Sequence, residues 1–181
     1  MQAAAEIFNR DGYAATDSNR IAREAGYSPG TFYKHFADKK QIFLAVYEEW
    51  VAREWAEISA QISSGEDVGT RAEAIVAIFL EHHKRWRGFR ASLRALVSNE
   101  PDVRDFYRAQ RKKQLALLAA LRGGDDGRAR EADALLLYTV ERTADAIADG
   151  EPTSLQVTAE GLRGLLVRIV EERIERGATR R

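Results

Sequence analysis

Cysteine is absent from this chain of 181 residues, proline occurs only three times, and no apolar run approaches the roughly 20 residues needed to span a bilayer. The lack of cysteine excludes disulfides, thiolate metal sites and cysteine nucleophiles, and it fits a reducing cytoplasm. No charged segment followed by an apolar one opens the chain, so no signal peptide is visible. We therefore expect a cytoplasmic protein with no membrane association.

An excess of charge of one sign is also missing, because 28 basic residues balance 28 acidic ones. A strongly basic chain would point directly to nucleic acid, but a phosphate backbone responds only to the local surface field. Residues 1–47 contain six Lys and Arg against five Asp and Glu, a slight positive excess. A hydrophobic content of 45% indicates an ordinary globular protein of one large or two small domains.

Two short helices joined by a tight turn are predicted within residues 12–39. Asp17 is a suitable N-cap for the first helix, because its carboxylate accepts hydrogen bonds from free backbone amides. Gly26 is expected to end that helix, since glycine enters the left-handed conformation without strain. Ser28 then caps the second helix, with Pro29 at its first position. The turn between the two helices is therefore about three or four residues long, which is typical of a helix-turn-helix.

The second of these helices separates apolar from polar side chains. Phe32 and Phe36 are four residues apart and are expected to pack inward. The outer side then offers hydroxyl, phenol, amine and imidazole groups, from Thr31, Tyr33, Lys34 and His35. Such groups can donate hydrogen bonds to phosphates or base edges. The alternative interpretation is a solvated polar face on a small helical core.

Three motifs in this region carry a family resemblance: Gly-Tyr-x-x-Thr, Ile-Ala-x-x-Ala-Gly and Ser-x-Gly-Thr-Phe-Tyr-x-His-Phe-x-x-Lys. Together they resemble the DNA-binding domain of the TetR/AcrR family of transcriptional regulators. The resemblance implies an all-helical homodimer with a helix-turn-helix DNA-binding domain at 1–47 and a larger ligand-binding and dimerisation domain at 48–181. By position it assigns DNA contacts to Thr16, Ser28, Gly30, Thr31, Tyr33, Lys34, His35 and Lys39.

The chain departs from the family pattern in two places. Asp17 stands where the family usually has a threonine. The chain also begins inside its first predicted helix, so the basic N-terminal arm of many family members is either lacking or lies upstream.

The rest of the chain reads as helices separated by polar breaks, about nine helices in all. Apolar residues at helical spacing predict helices over 38–63, 70–86, 89–98, 102–121, 129–149 and 155–174. Arg87 and Gly88 are expected to break the chain between two of them, and 123–127 to form a turn.

A pocket for a small-molecule inducer is expected among the fourth to eighth helices. The candidate lining residues are Trp55, Phe79, His82, Trp86, Phe89, Phe106, Tyr107, Tyr138 and Arg142. An aromatic residue in such a pattern is more often ordinary core than a ligand contact, and Arg142 suits an anionic ligand and an acidic neighbour equally well.

The family resemblance implies that the last two predicted helices form the dimer interface. The eighth is apolar around much of its circumference, which indicates burial on two sides. The candidate interface residues are Leu136, Val140, Ile147, Gly161, Leu162, Leu165 and Ile169.

No catalytic, metal or cofactor motif is visible. His82 and His83 point about 100° apart on a helix and cannot chelate together, and Asp125-Asp126 lies in a turn too short for a calcium loop. We therefore expect no enzyme activity, no metal and no cofactor.

The favoured function is a repressor released from a palindromic double-stranded DNA operator by a small-molecule inducer. An activator or a protein-responsive regulator of the same fold is the first alternative. An all-helical small-molecule-binding protein or enzyme is the second.

Overall fold

The computed structural model describes residues 1–122 and 127–178, and all regular secondary structure within them is helical. The helices are α1 (Gln2–Asp11), α2 (Ser18–Glu24), α3 (Pro29–His35), α4 (Lys39–Ile62), α5 (Val68–Arg85), α6 (Arg87–Asn99), α7 (Pro101–Arg122), α8 (Gly127–Asp149), α9 (Glu151–Ser154) and α10 (Ala159–Ala178). The prediction of an all-α fold is confirmed. Most of the predicted turn, including Asp125 and Asp126, lies outside the described residues.

The described helices fall into two compact units, each built from two stretches of chain. Unit 1 comprises Met1–Ala52 with Trp86–Gln110, and unit 2 comprises Arg53–Arg85 with Arg111–Arg181. The helices α4 and α7 therefore each supply residues to both units. The predicted domains, 1–47 and 48–181, are continuous in sequence, whereas these units are not.

Unit 1 is held by a cluster of aromatic rings from α1, α4 and α6. Phe8 is fully buried, and its ring meets that of Phe43 edge-on with centroids 5.0 Å apart. The rings of Phe43 and Phe89 are stacked at 4.2 Å. Burial of aromatic side chains is a major source of stability, so this cluster fixes the two helices that flank the predicted DNA-binding segment.

A close approach between α1 and α6 depends on Gly88. A Cβ built on Gly88 would lie 2.0 Å from the backbone carbonyl oxygen of Asn9. The side-chain oxygen of Asn9 also accepts a hydrogen bond of 3.1 Å from the amide of Phe89. The prediction that Gly88 breaks the chain between helices is therefore wrong, because this glycine lies in the first turn of α6 and makes room for α1.

Replacing Gly88 with alanine is expected to destabilise unit 1. The added methyl group would overlap backbone that cannot move independently, a cost of about 1–3 kcal/mol in the free energy of unfolding. Chemical denaturation measures this cost. Gly65→Ala is the matched control, since a Cβ there meets nothing within 4 Å. Equal stability of the two variants would contradict this account of α1 and α6.

In unit 2, α5 packs against both α8 and α10. The imidazole of His83 on α5 lies 2.9 Å from the Asp145 carboxylate on α8, and both side chains are buried. Arg111 on α7 makes a two-pronged ion pair with Glu141 on α8. These buried pairs fix the register of the helices around α8.

The last predicted helix begins later than expected. Positive φ values at Gly150 (76°) and Gln156 (57°) bracket the short helix α9. The Thr158 hydroxyl then accepts a hydrogen bond of 3.0 Å from the amide of Gly161, which caps α10. Gly161 is therefore in the first turn of α10, not at its middle.

Helices with the length and hydropathy needed to cross a bilayer are not found among the described residues.

Candidate nucleic-acid interface and ligand cavity

The helix α2 begins and ends as its sequence predicts. The Asp17 carboxylate accepts a hydrogen bond of 2.9 Å from the amide of Arg20. Gly26 has a φ of 78°, and the amide of Tyr27 donates to the carbonyl of Ala22 at 2.9 Å. These bonds satisfy backbone groups at both ends of α2 and turn the chain sharply toward α3.

The helix α3 is capped and anchored in the same way. The Ser28 hydroxyl accepts a hydrogen bond of 3.2 Å from the amide of Thr31, and Pro29 occupies the first helical position. Phe32 is buried, and Phe36 just after the helix is half-buried. One side of α3 is thereby fixed to the protein, and the opposite side is left to solvent.

The α3 outer face consists of Ser28, Gly30, Tyr33, Lys34 and His35, all of which are exposed. Tyr33 is 54% exposed, so its phenol is open to solvent. A Cβ on Gly30 would have no neighbour nearer than the Ser28 hydroxyl at 3.8 Å, so the backbone there is open to close approach. The predicted DNA contact Thr31 is half-buried beside this face.

The side chains of two predicted DNA contacts, Thr16 and Lys39, already form hydrogen bonds within the protein. Thr16 is only 3% exposed and its hydroxyl donates to the carbonyl of Gly12 at 2.8 Å, so the prediction of a side-chain contact there is wrong. The Lys39 ammonium donates to the carbonyls of Tyr13 at 2.9 Å and Thr16 at 2.7 Å. We therefore assign Lys39 to holding the loop between α1 and α2.

Ion pairs between α1 and α2 neutralise much of the charge of this region. Arg10 donates to Asp11 at 2.8 Å and to Glu24 at 3.0 Å. Arg20 pairs with the same two carboxylates. Hydrogen bonds from Arg10 are the largest cause that holds the pKa values of Asp11 and Glu24 below their ordinary range.

The other charges of this region are distributed unequally. The carboxylates of Asp17 and Asp38 accept backbone hydrogen bonds at helix starts. Arg23 and Lys34 are exposed and form no ion pair with any described residue. The ion pairs leave the net charge of residues 1–47 unchanged, and Lys40 is itself paired with Glu100 and Asp102. Arg23 was missed in the sequence because only the structure shows which arginines are already paired.

Acid is expected to remove the contribution of the ion pairs between α1 and α2. Because the folded-state pKa values of Asp11 and Glu24 are lowered, these groups stabilise the protein above their ordinary pKa values of 3.8 and 4.5. That stability is lost as the pH falls through the lowered values. Arg10→Met should therefore reduce the free energy of unfolding at pH 7, with the deficit shrinking toward pH 3.

Arg23→Met is the control for this measurement, because it removes an exposed arginine that has no described ion-pair partner. Its difference from the unmodified protein should stay constant across the same pH range. A deficit for Arg10→Met that does not change with pH would contradict the assignment.

A cavity of about 260 Å³ lies within unit 2. Its wall has eleven aliphatic or phenyl side chains, among them Ile58, Ile75, Phe79 and Val170. The indole of Trp55 and three charged side chains complete it: Arg71, Asp133 and Arg173. A largely apolar cavity with few polar groups is typical of a small-molecule site. Of the nine predicted pocket residues, Trp55 and Phe79 line it.

Four aromatic residues predicted to line the pocket belong instead to unit 1: Trp86, Phe89, Phe106 and Tyr107. Phe89 stacks on Phe43, and Tyr107 stacks on Tyr47 with centroids 6.0 Å apart. These four residues do not line the cavity of unit 2, and the ring contacts of Phe89 and Tyr107 fit the alternative interpretation as ordinary core.

The other three predicted pocket residues also lie outside this cavity wall. His82 pairs with Glu57 at 3.2 Å and is not part of the cavity wall. Tyr138 is 60% exposed on the outer side of α8. Arg142 is also exposed and pairs with Glu151 at 2.6 Å, which favours the acidic-neighbour interpretation.

The adjacent histidines of α5 have different partners. His82 lies beside Glu57, whereas His83 lies beside Asp145. No cluster of three or more metal-binding side chains occurs in the part of the chain that the structure describes.

The exposed apolar residues of α8 are not the ones that were predicted for the dimer interface. Leu136 and Val140, which were predicted for the dimer interface, line the cavity; Leu136 is half-buried and Val140 is buried. The exposed large apolar residues of α8 are Leu135 and Tyr138, which lie on a different side of the helix from Val140. Apolar residues occur around most of α8, and their spacing alone did not show which side faces inward.

On α10 the exposed residues include three that were predicted for the interface: Gly161, Leu165 and Ile169. They follow one another at intervals of four residues and form one stripe. The predicted interface residues Leu162 and Ile147 are half-buried.

The described residues combine a capped helix-turn-helix, a polar outer face on its second helix and, in unit 2, a largely apolar cavity, features that are typical of ligand-responsive DNA-binding proteins. Residues 1–46 match the family model of the bacterial regulatory proteins, tetR family. This match covers the helix-turn-helix described above and makes the N-terminal part of the chain similar to the DNA-binding domain of that family.

The curated relatives include a transcriptional activator and a transcriptional repressor. The HTH-type transcriptional activator FasR of Mycolicibacterium smegmatis is 31% identical over 104 residues, which are 56% of this chain and 47% of FasR. The HTH-type transcriptional repressor AcnR of Corynebacterium diphtheriae is 28% identical over 107 residues, 58% of this chain and 52% of AcnR. The chain thus spans about half the length of these relatives.

The fold extends beyond the matched domain. A solved structure of a transcriptional regulator from Rhodococcus sp. Rha1 superposes with a TM-score of 0.72 at 24% identity, covering 96% of this chain and 93% of that one. The likeness shows that the two chains share a fold from the first helices to the last.

Proposed function

We propose that the protein is a DNA-binding transcriptional regulator that acts as a homodimer and responds to a small molecule. DNA binding is assigned to residues 1–47, and ligand binding and dimerisation to 48–181. The observation that carries the proposal is the exposed face of α3, where an aromatic, a lysine and a histidine accompany a sterically open glycine on one short helix. We favour a repressor, and an activator remains the alternative because relatives of both kinds exist.

The α3 outer face has the chemistry needed for a DNA groove. Lys34 carries a charge without an ion-pair partner among the described residues, which suits a phosphate. Tyr33 has a phenol that can donate to base edges or phosphates. Arg23 at the end of α2 supplies a second exposed charge.

Variants of the α3 outer face separate base recognition from phosphate contact. On a duplex selected by the protein from random-sequence DNA, Tyr33→Ala should lower the affinity by roughly a hundredfold or more. Lys34→Ala should weaken binding to all sequences and reduce the slope of log affinity against log salt by about 2 for a dimer. Fluorescence anisotropy at several salt concentrations measures both effects.

Lys112→Ala is the charge-matched control, because Lys112 is exposed on α7 and lies outside 1–47. Its salt dependence should equal that of the unmodified protein. Unchanged DNA affinity in Tyr33→Ala, or failure to select any duplex, would refute the assignment of DNA binding to α3.

Dimerisation is assigned to the outer sides of α8 and α10. Leu135, Tyr138, Leu165 and Ile169 are all exposed there, and exposed apolar groups on neighbouring helices favour association. A dimer is also useful for recognition, because two α3 helices about 34 Å apart reach successive major grooves of a palindromic operator.

A charge placed on the α10 stripe should dissociate the dimer. Leu165→Glu would bury an unpaired carboxylate, so the dissociation constant should rise more than about a hundredfold. Sedimentation velocity measures the change. Ala77→Glu, on the exposed side of α5, is the control and should leave association unchanged. A Leu165→Glu protein that sediments as the unmodified one does would exclude this surface.

Ligand control is proposed to act through α4. The second half of this helix lines the cavity with Trp55, Ile58 and Ile62, and its first half belongs to unit 1. A ligand that favours one conformation of α4 changes the affinity for DNA, and DNA changes the affinity for the ligand by the same factor.

A further inference from the structure

The unit 2 cavity has one positive charge that its other charged groups do not balance. The Asp133 carboxylate accepts a hydrogen bond of 2.8 Å from Nε of Arg173 and a second from Nη2. Arg173 also donates to the carbonyl of Ala129 at 3.1 Å. Asp133 and Arg173 thus neutralise each other, and they leave Arg71 as the remaining charge of the cavity wall.

Arg71 has no counter-charge among the described residues. Its Nη1 donates to the carbonyl of Ile62 at 3.0 Å, which holds the guanidinium at the end of α4. Its Nε is buried and has no acceptor within the described chain. A guanidinium in this position is stabilised by an anion, and it prefers planar carboxylates, which accept two parallel hydrogen bonds.

Trp55 supplies a second unmet donor in the same wall. The side chain is 5% exposed, and its indole N–H has no acceptor among the described residues. Buried donors without partners are uncommon, and each costs free energy until an acceptor reaches it. Both unmet groups donate, so a complementary ligand supplies acceptors.

The rest of the cavity wall is apolar. Eleven aliphatic or phenyl side chains surround the polar groups, with Leu137 and Val140 from α8 and Val170 and Ile174 from α10 among them. Such a wall favours a hydrocarbon body and rejects a second charge. The volume of about 260 Å³ restricts the ligand to a small molecule.

We propose that the cavity binds an amphipathic carboxylate, with the carboxylate at Arg71 and the apolar body against the aliphatic wall. This inference names the ligand class of the proposed regulator, and it therefore rests on the proposed function. A cationic or uncharged ligand of the same shape would leave the Arg71 charge unpaired.

Matched pairs of probes test the charge preference on the unmodified full chain. Octanoate and 1-octanol form one pair, 4-phenylbutyrate and 4-phenylbutanol a second, and octyltrimethylammonium is the cationic probe. Isothermal titration calorimetry without DNA should show at least one acid binding about tenfold or more tighter than its alcohol, and no binding of the cation. Equal binding within both pairs, preference for the alcohols, or no binding of either acid would overturn the inference.

Substitution then locates the charge. Arg71→Met should abolish the preference for acid over alcohol, and Arg71→Lys should retain a part of it. Arg176→Met, an exposed arginine of α10 outside the cavity wall, should retain all of it. Thermal melting followed by circular dichroism verifies that each variant is folded. A folded Arg71→Met protein with an unchanged preference would refute the role of Arg71.

The same probes keep this inference separate from the proposed function. An acid that binds with the Arg71 dependence but leaves DNA affinity unchanged would support the ligand class and contradict ligand control. Operator release by an alcohol or a cation that binds the cavity better than the acids would contradict the ligand class and support ligand control.

Discussion

A helix of seven residues cannot hold its own conformation in water, and the candidate interface depends on one such helix, α3. Its stability comes from a cap at Ser28, from the sharp turn at Gly26 and from the burial of Phe32. These three devices fix one side of α3 and leave the other side polar and exposed. The surface proposed to read DNA is thus the remainder of a short helix whose apolar side is used for stability.

Charge pairing shapes the surroundings of that surface. The carboxylates of Asp11 and Glu24 are paired with arginines, whereas Arg23 and Lys34 have no described ion-pair partner. A chain with zero net charge can therefore keep positive side chains without a described ion-pair partner on α2 and α3. The pairing shows which positive side chains are available to phosphates, although it does not change the slight positive excess of residues 1–47.

Local signals in the sequence were sufficient for the helix-turn-helix. Asp17, Gly26 and Ser28 act through hydrogen bonds or backbone conformation within a few residues, so their roles follow from spacing. Thr16 could not be placed in this way, because its burial depends on the loop that Lys39 holds from 23 residues away. The lining of the cavity was harder to predict than the helix-turn-helix, because aromatic side chains at helical spacing occur in both units.

Residue spacing was also insufficient to predict which side of α8 faces outward. The apolar residues of α8 occur on nearly all sides, so a choice between Leu135 and Leu136 for the outer face needed the positions of α5 and α10. Arg71 gave no signal in the sequence, because an arginine in an amphipathic helix is ordinary until its partners are known. Its significance comes from the ion pair that Arg173 makes with Asp133, which leaves Arg71 as the unbalanced charge.

Amide hydrogen exchange of the protein with and without its selected duplex tests the central claim most directly. The account predicts that DNA slows exchange most strongly in the peptides that cover residues 27–36, with smaller effects at the end of α2. Protection confined to α8 and α10, or no protection of residues 27–36 under saturating DNA, would contradict it.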